Sequence, residues 1–146
     1  MITRPFIAPG GLEALGAPPQ VSLAHVGGWC VAIAAPANEP VGIDMELLGR
    51  IRLPDFLNGA FTAAERTRVE GVAAERREEW AVRLWCAKEA AAKSLGTGLN
   101  GQPQRFAVTE LTPDGSAAVV ENAGRRIEVA IRRRNDIVIG LTTRYQ

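Results

Sequence analysis

The stretch that most constrains this chain is Trp85-Cys86-Ala87-Lys88-Glu89-Ala90-Ala91-Ala92-Lys93. Alanine and straight-chain residues fill it and neither Gly nor Pro interrupts it, so it predicts the second half of a helix over about residues 75–95. Gly96 is placed to stop that helix. Helical spacing puts Trp85, Lys88, Glu89, Ala92 and Lys93 on one side. A bland amphipathic helix would carry Leu and Ile there. Here the side carries two ammonium groups, a carboxylate and an indole, which are costly to bury without partners. The plain alternative is a solvated face whose Glu89–Lys93 pair is worth only about 0.3 kcal/mol.

Around this helix the pattern is β. Strands are expected over residues 21–23, 29–35 and 41–46, the first two joined at Gly27-Gly28 by a hairpin-like bend. Further strands are expected over 106–111, 117–120, 127–131 and 137–142. Between the two groups, a short helix is expected over 53–61. Thr62-Ala63-Ala64-Glu65 has capping-box spacing, which starts a helix over about 63–73. Residues 1–20 are punctuated by Pro and Gly and read as an irregular leader, with a short helical turn near 11–15. The fold class is α+β: an antiparallel sheet of five or six strands packed against the long helix.

Composition bounds the function. A chain of 146 residues is expected to form a single domain, and 47% apolar with 23% charged residues is the balance of a soluble globular protein. A net charge of +1 carries no general nucleic-acid or membrane signal. No apolar run reaches the roughly 18 residues of a membrane span. The N-terminus lacks the basic start and apolar core of a signal peptide. Cys30 and Cys86 form no CxxC pair and are read as buried thiols in a reducing cytoplasm.

The chemistry starts at Gly42-Ile43-Asp44-Met45-Glu46. Residues two apart on a strand point to the same face, so the Asp44 and Glu46 carboxylates repel each other unless solvent or a cation lies between them. A hard divalent cation suits such a pair: Mg²⁺ needs one or two protein carboxylates, waters and phosphate oxygens. Glu89 would supply a third acid if the long helix crosses this strand, and Lys88 and Lys93 would then stand where a diphosphate would lie. An exposed edge-strand face explains the acid pair equally well when it is taken alone.

Together, the Gly-x-Asp-x-Glu strand and the Trp-x-x-Lys-Glu-x-x-x-Lys helix resemble the paired signature of the 4′-phosphopantetheinyl transferases. Ser22-Leu23-Ala24-His25 resembles the Ser-x-Ser-His segment of the surfactin-synthetase-activator type, with Ala24 in place of the second serine. Gly16-Ala17-Pro18 resembles that type's Gly-Lys-Pro turn, with Ala17 in place of lysine. Phe61-Thr62-x-x-Glu65 and Gly96-Thr97-Gly98-Leu99 resemble its Phe-Ser-x-x-Glu and Gly-x-Gly-Leu segments. The resemblance covers about residues 16–110.

This resemblance implies transfer of the 4′-phosphopantetheine arm of coenzyme A to a serine of an acyl or peptidyl carrier protein, releasing adenosine 3′,5′-bisphosphate. It implies Mg²⁺ on Asp44, Glu46 and Glu89. Glu89 is the first choice of general base and Glu65 the second, while Lys88 and Lys93 contact phosphate and one of them protonates the leaving group. His25 would contact a phosphate of coenzyme A, and Gly16 and Pro18 would shape the adenine end of the site. Arg66, Arg68, Arg76, Arg77 and Arg83 would form the docking surface for an acidic carrier.

The chain matches the second half of the two-halved surfactin type but has the length of the trimeric holo-acyl-carrier-protein synthases. That combination implies a homo-oligomer, dimer or trimer, or a domain of a larger polyketide or fatty-acid synthase. The alternative is a non-catalytic homologue that binds coenzyme A or a carrier protein.

Overall fold

The computed structural model describes residues 17–145. Gly16 and the helical turn expected near 11–15 lie outside the described residues. Among the described residues seven strands form two sheets: β1 (Gln20–Val26) and β2 (Trp29–Ala35) make a hairpin, and five more make an antiparallel sheet in the order β3-β7-β6-β5-β4. These are β3 (Ile43–Leu47), β4 (Ala107–Leu111), β5 (Ala117–Asn122), β6 (Arg125–Arg134) and β7 (Ile137–Tyr145). The main sheet has five strands, within the expected five or six, and the hairpin forms a second, two-stranded sheet of its own.

Three helices lie between β3 and β4: α1 (Leu53–Ala60), α2 (Ala63–Glu70) and α3 (Arg77–Ser94). The capping box is made as read, with Thr62 accepting from Glu65 N–H and the Glu65 carboxylate accepting from Thr62 N–H. Helix α2 stops at Glu70, where Gly71 caps it, and the α3 spiral starts as a 3₁₀ turn over Ala74–Arg76. The α3 helix packs along the inner face of the five-stranded sheet over Val120, Ile127, Val129, Ile131 and Val138, all buried. The hairpin packs on the opposite face, where Ala24 and Val26 meet Met45, Leu47, Ile137 and Ile139.

Two glycines set how close α3 comes to the sheet. A Cβ at Gly42 would collide with the Ala90 carbonyl oxygen and Ser94 N, and one at Gly140 would lie 2.8 Å from the Cys86 carbonyl oxygen. Only a residue without a side chain lets backbone approach backbone in this way. On the helix side, buried Ala87, Ala90 and Ala91 keep the seam shallow.

The cysteines differ from expectation. Cys86 is buried, but Cys30 is exposed, because it sits opposite His25 on the outward face of the hairpin. Val21, Leu23 and Trp29 of the same hairpin are also exposed, at 63%, 51% and 65%. Among the described residues no helix is long and apolar enough to cross a membrane.

Candidate functional site

Strand register decides where the acids point. Asp44 pairs with Gly140 and Glu46 with Val138, so both carboxylates face α3, as alternation predicts, while Met45 faces the hairpin. The missing side chain at Gly140 admits the α3 backbone at Cys86 beside Asp44. Thr142 locks the start of β3: its hydroxyl accepts from Gly42 N–H at 2.8 Å. Ser22 locks the hairpin to the same strand by accepting from Ile43 N–H at 2.9 Å. The Ser22 hydroxyl is thus occupied structurally.

Lys93 closes over this strand from the last turn of α3. Its ammonium donates to Asp44 Oδ1 at 2.7 Å, to the Ile43 carbonyl at 3.2 Å and to the Leu23 carbonyl of the hairpin at 3.4 Å. Asp44 Oδ2 is buried and has no hydrogen-bond partner. A buried carboxylate oxygen without a donor is costly, and its demand is for a cation or a donor from outside the chain.

Glu46 and Glu89 share the same field. Burial first, then the charge of Asp44, pushes Glu46 above its ordinary value. Glu89 is pushed up by burial, then by Asp44, with Lys93 opposing and Glu46 adding. Beneath them the buried Cys86 thiol is held well up, by burial and then by Asp44 and Glu46, and it donates to the Val138 carbonyl. Two carboxylates pushed up by burial and by the charge of Asp44, whose own Oδ2 is orphaned, suit a hard divalent cation. Among the described residues, however, no three His, Cys, Asp or Glu side chains are gathered at metal-binding spacing. Asp44 and Glu46 share one face of β3, and Glu89 on α3 lies close enough to feel both charges.

Other expected site residues lie elsewhere. The side of α3 expected to hold positions 85, 88, 89, 92 and 93 splits: Trp85, Glu89 and Lys93 stay half-exposed, whereas Lys88 and Ala92 turn into the core. Lys88 is 0% exposed, and its ammonium donates to Glu65 Oε2 at 2.7 Å, the Ala60 carbonyl at 3.0 Å and the Pro103 carbonyl at 3.2 Å. A phosphate contact from Lys88 is thereby corrected: all three of its protons are committed inside the protein. The same correction applies to Glu65 as a second base. It is 0% exposed; Oε2 also accepts from Thr62 N–H, and Oε1 accepts from Val108 N–H.

His25 is exposed on β1, two residues beyond the Leu23 carbonyl that Lys93 touches. Pro18 is exposed ahead of β1. The expected arginine surface is largely tied down. Arg68 donates to the Val108 and Thr109 carbonyls, Arg77 to Val72 and Glu70, and Arg83 to Glu79 and Gly115. Arg76 lies over the Trp80 ring, and Arg66 reaches the Phe61 carbonyl at 3.5 Å.

Sequence reasoning missed a cleft of about 550 Å³ in front of Glu89, lined also by Phe56, Trp85, Leu99, Asn100 and Pro103. Phe56 stands edge-on to Trp85, ring centroids 5.1 Å apart. The available signal was α1 itself, whose Leu53, Phe56 and Leu57 remain only half-buried.

The sequence model of the 4′-phosphopantetheinyl transferase superfamily matches residues 40–142, a span that contains β3, all of α3 and most of β7. The chain is 35% identical over 98 residues to the 4′-phosphopantetheinyl transferase psf-1 of Bacillus pumilus, covering 67% of this chain and 40% of that protein. It thus spans well under half the length of that relative. Its fold is similar to that of a holo-(acyl-carrier-protein) synthase from Bacillus anthracis solved in complex with CoA (3′,5′-ADP). The TM-score is 0.61 at 23% identity, over 71% of this chain and 93% of that one.

Proposed function

The chain belongs to the 4′-phosphopantetheinyl transferase superfamily, and on that premise we propose that it moves the 4′-phosphopantetheine arm of coenzyme A onto a serine hydroxyl of an acyl or peptidyl carrier protein. Adenosine 3′,5′-bisphosphate is the other product. The observation that carries this reading is the buried, unpartnered Oδ2 of Asp44 beside Glu46 and Glu89, with Lys93 across it.

In this reading Asp44 and Glu46 would hold Mg²⁺, with Glu89 alongside. The ion supplies charge neutralisation at the diphosphate when bound. Lys93, 29% exposed at the rim, places the diphosphate by exchanging a carbonyl partner for a phosphate oxygen. Glu89 takes the proton from the attacking serine Oγ. Its raised pKa makes it a stronger base than a free carboxylate. The P–O bond to the adenosine bisphosphate breaks as the serine Oγ–P bond forms, so the chain's work is positioning and charge balance. His25, exposed beside the Lys93 contact, is a further phosphate partner. The chain acts in the cytoplasm, as a homo-oligomer or as part of a larger synthase.

The test is direct. The purified protein is incubated with coenzyme A, Mg²⁺ and a panel of apo carrier proteins, and the carriers are weighed by mass spectrometry beside an Asp44→Ala control. A gain equal to phosphopantetheine, absent in the control, is expected. No gain on any carrier, with coenzyme A still bound, would shift the reading to a non-catalytic homologue. That second reading draws on Ala24, which offers no hydroxyl, and on the absence among the described residues of three acids at metal-binding spacing.

A further inference from the structure

The Glu65–Lys88 pair is the most heavily partnered ionic group among the described residues, yet phosphoryl transfer as derived above does not use it. Its hydrogen bonds reach four backbone groups outside the pair. Lys88 on α3 holds Ala60 at the end of α1 and Pro103 at the turn before β4. Glu65 on α2 holds Thr62 at the α2 cap and Val108 on β4. The Lys88 ammonium also lies 5.1 Å from the centre of the Phe61 ring, which stands edge-on to Phe56 at 5.3 Å. Phe56 in turn meets Trp85.

Two of these anchors, Ala60 and Pro103, stand on the lining of the cleft in front of Glu89. Ala60 belongs to the α1 wall, with Phe56 and Gly59. Pro103 belongs to the opposing wall, with Leu99, Asn100 and Gly101. One ammonium therefore fastens both walls, and it sits on the residue adjacent to Glu89. We propose that Glu65–Lys88 is a buried positioning strut, which sets the width of this cleft and the aim of Glu89 into it. It is not a phosphate contact or a base.

The cleft's lining says what it receives. Among the described residues that form it, none is Lys, Arg or His, while Asp55 and Glu89 are acidic. Phosphates are repelled there and remain on the Lys93 side. The cleft takes an uncharged, partly apolar portion of a substrate against Phe56, Trp85 and Leu99. The strut thus acts on the acceptor and arm side of Glu89, and only indirectly on the diphosphate. This inference rests on the transfer reading for its kinetic test but not for its structural one.

The experiment compares wild type with Lys88→Met and, in case that variant does not fold, Glu65→Gln, whose single amide oxygen still accepts from one of the two backbone N–H groups, Thr62 or Val108. Three quantities are measured on folded protein: transfer rate to a carrier at saturating coenzyme A, Kd for adenosine 3′,5′-bisphosphate, and hydrogen exchange by mass spectrometry. A misplaced cleft is expected to slow transfer by about 100-fold for Lys88→Met, and less for Glu65→Gln. Kd for the bisphosphate is expected to stay within about 2-fold, a change far below one lost charged contact. Exchange should rise at residues 59–61 and 99–103 and stay unchanged in the β1–β2 hairpin. A folded variant with wild-type transfer and wild-type exchange at both walls would reduce the pair to a stability element and overturn the proposal. A bisphosphate Kd weakened about 10-fold or more, about 1.4 kcal/mol, would return Lys88 to the phosphate and also overturn it. If wild type itself transfers nothing, the transfer reading fails alone, and the exchange pattern still decides the strut.

Discussion

Lys88 and Lys93 stand five residues apart on α3, and each ammonium donates to one carboxylate and two backbone carbonyls. Their carboxylate partners are both 2.7 Å away. The difference lies in the surroundings. The Lys88–Glu65 pair is sealed, with side-chain exposures of 0% and 1%, and both Glu65 oxygens are occupied. The Lys93–Asp44 pair is at a rim, at 29% and 9%, and Asp44 Oδ2 is left without a donor. A satisfied buried pair specifies structure, whereas a half-satisfied pair at an opening retains an unmet demand that a ligand can fill. The same pair of residue types thus builds the frame in one place and the chemistry in the other.

The sharpest way to break the comparison is to remove each lysine. Lys88→Ala strands a buried carboxylate and two carbonyls, and is expected to cost about 3–5 kcal/mol in urea unfolding. Next in size, Asp44→Asn is expected to lower transfer about 100- to 1,000-fold, read by carrier mass, with little loss of melting temperature. Gly42→Ala attacks the seam that brings the two halves of the rim together. It should cost about 1–3 kcal/mol by overpacking and also slow transfer, because α3 must shift away from β3. Lys93→Gln should cost under about 1 kcal/mol of stability while weakening the Kd for adenosine 3′,5′-bisphosphate, the reverse of the Lys88 pattern.

The smallest effect is a pH signature. Glu46 and Glu89 are both raised in the folded protein, by burial and by Asp44. Such groups contribute stability below their unfolded value, and that contribution is lost as pH rises through their folded values. Without metal, Glu89→Gln should therefore raise the melting temperature relative to wild type near about pH 7.5, with the gain vanishing near about pH 4. A scan of melting temperature against pH for the two proteins checks this, and added Mg²⁺ should raise wild type more at the higher pH.

Local chemistry was legible in the sequence. Strand β2 falls over Trp29–Ala35 as read, the Thr62–Glu65 capping box is made, and the Asp44/Glu46 alternation faces α3. Boundaries shifted by a few residues where turns extend an element, as at Ala74–Arg76. What sequence spacing could not show is which of several neighbours on a helix side turns inward. Lys88 finds its partner 23 residues away and its second carbonyl 15 residues on, so its burial depends on tertiary contacts rather than on period. The cleft before Glu89 was hidden for the same reason, since its walls come from residues 55–60 and 99–103. The division of strands into two sheets was hidden too, because the hairpin meets β3 through tertiary contacts such as Ser22 to Ile43 rather than through a local pattern.

The seam where α3 meets β3 and β7 has a consequence for how such a chain can change over generations. At Gly42–Ala90 and Gly140–Cys86 the contact is main chain against main chain. A lineage therefore has no larger or smaller side chain to try there, and drift along that line is closed. Variation is open instead on the cleft walls at Phe56, Leu99 and Asn100 and on the outward face of the hairpin. A protein built this way can acquire new clients by rewriting its mouth while this backbone seam stays fixed.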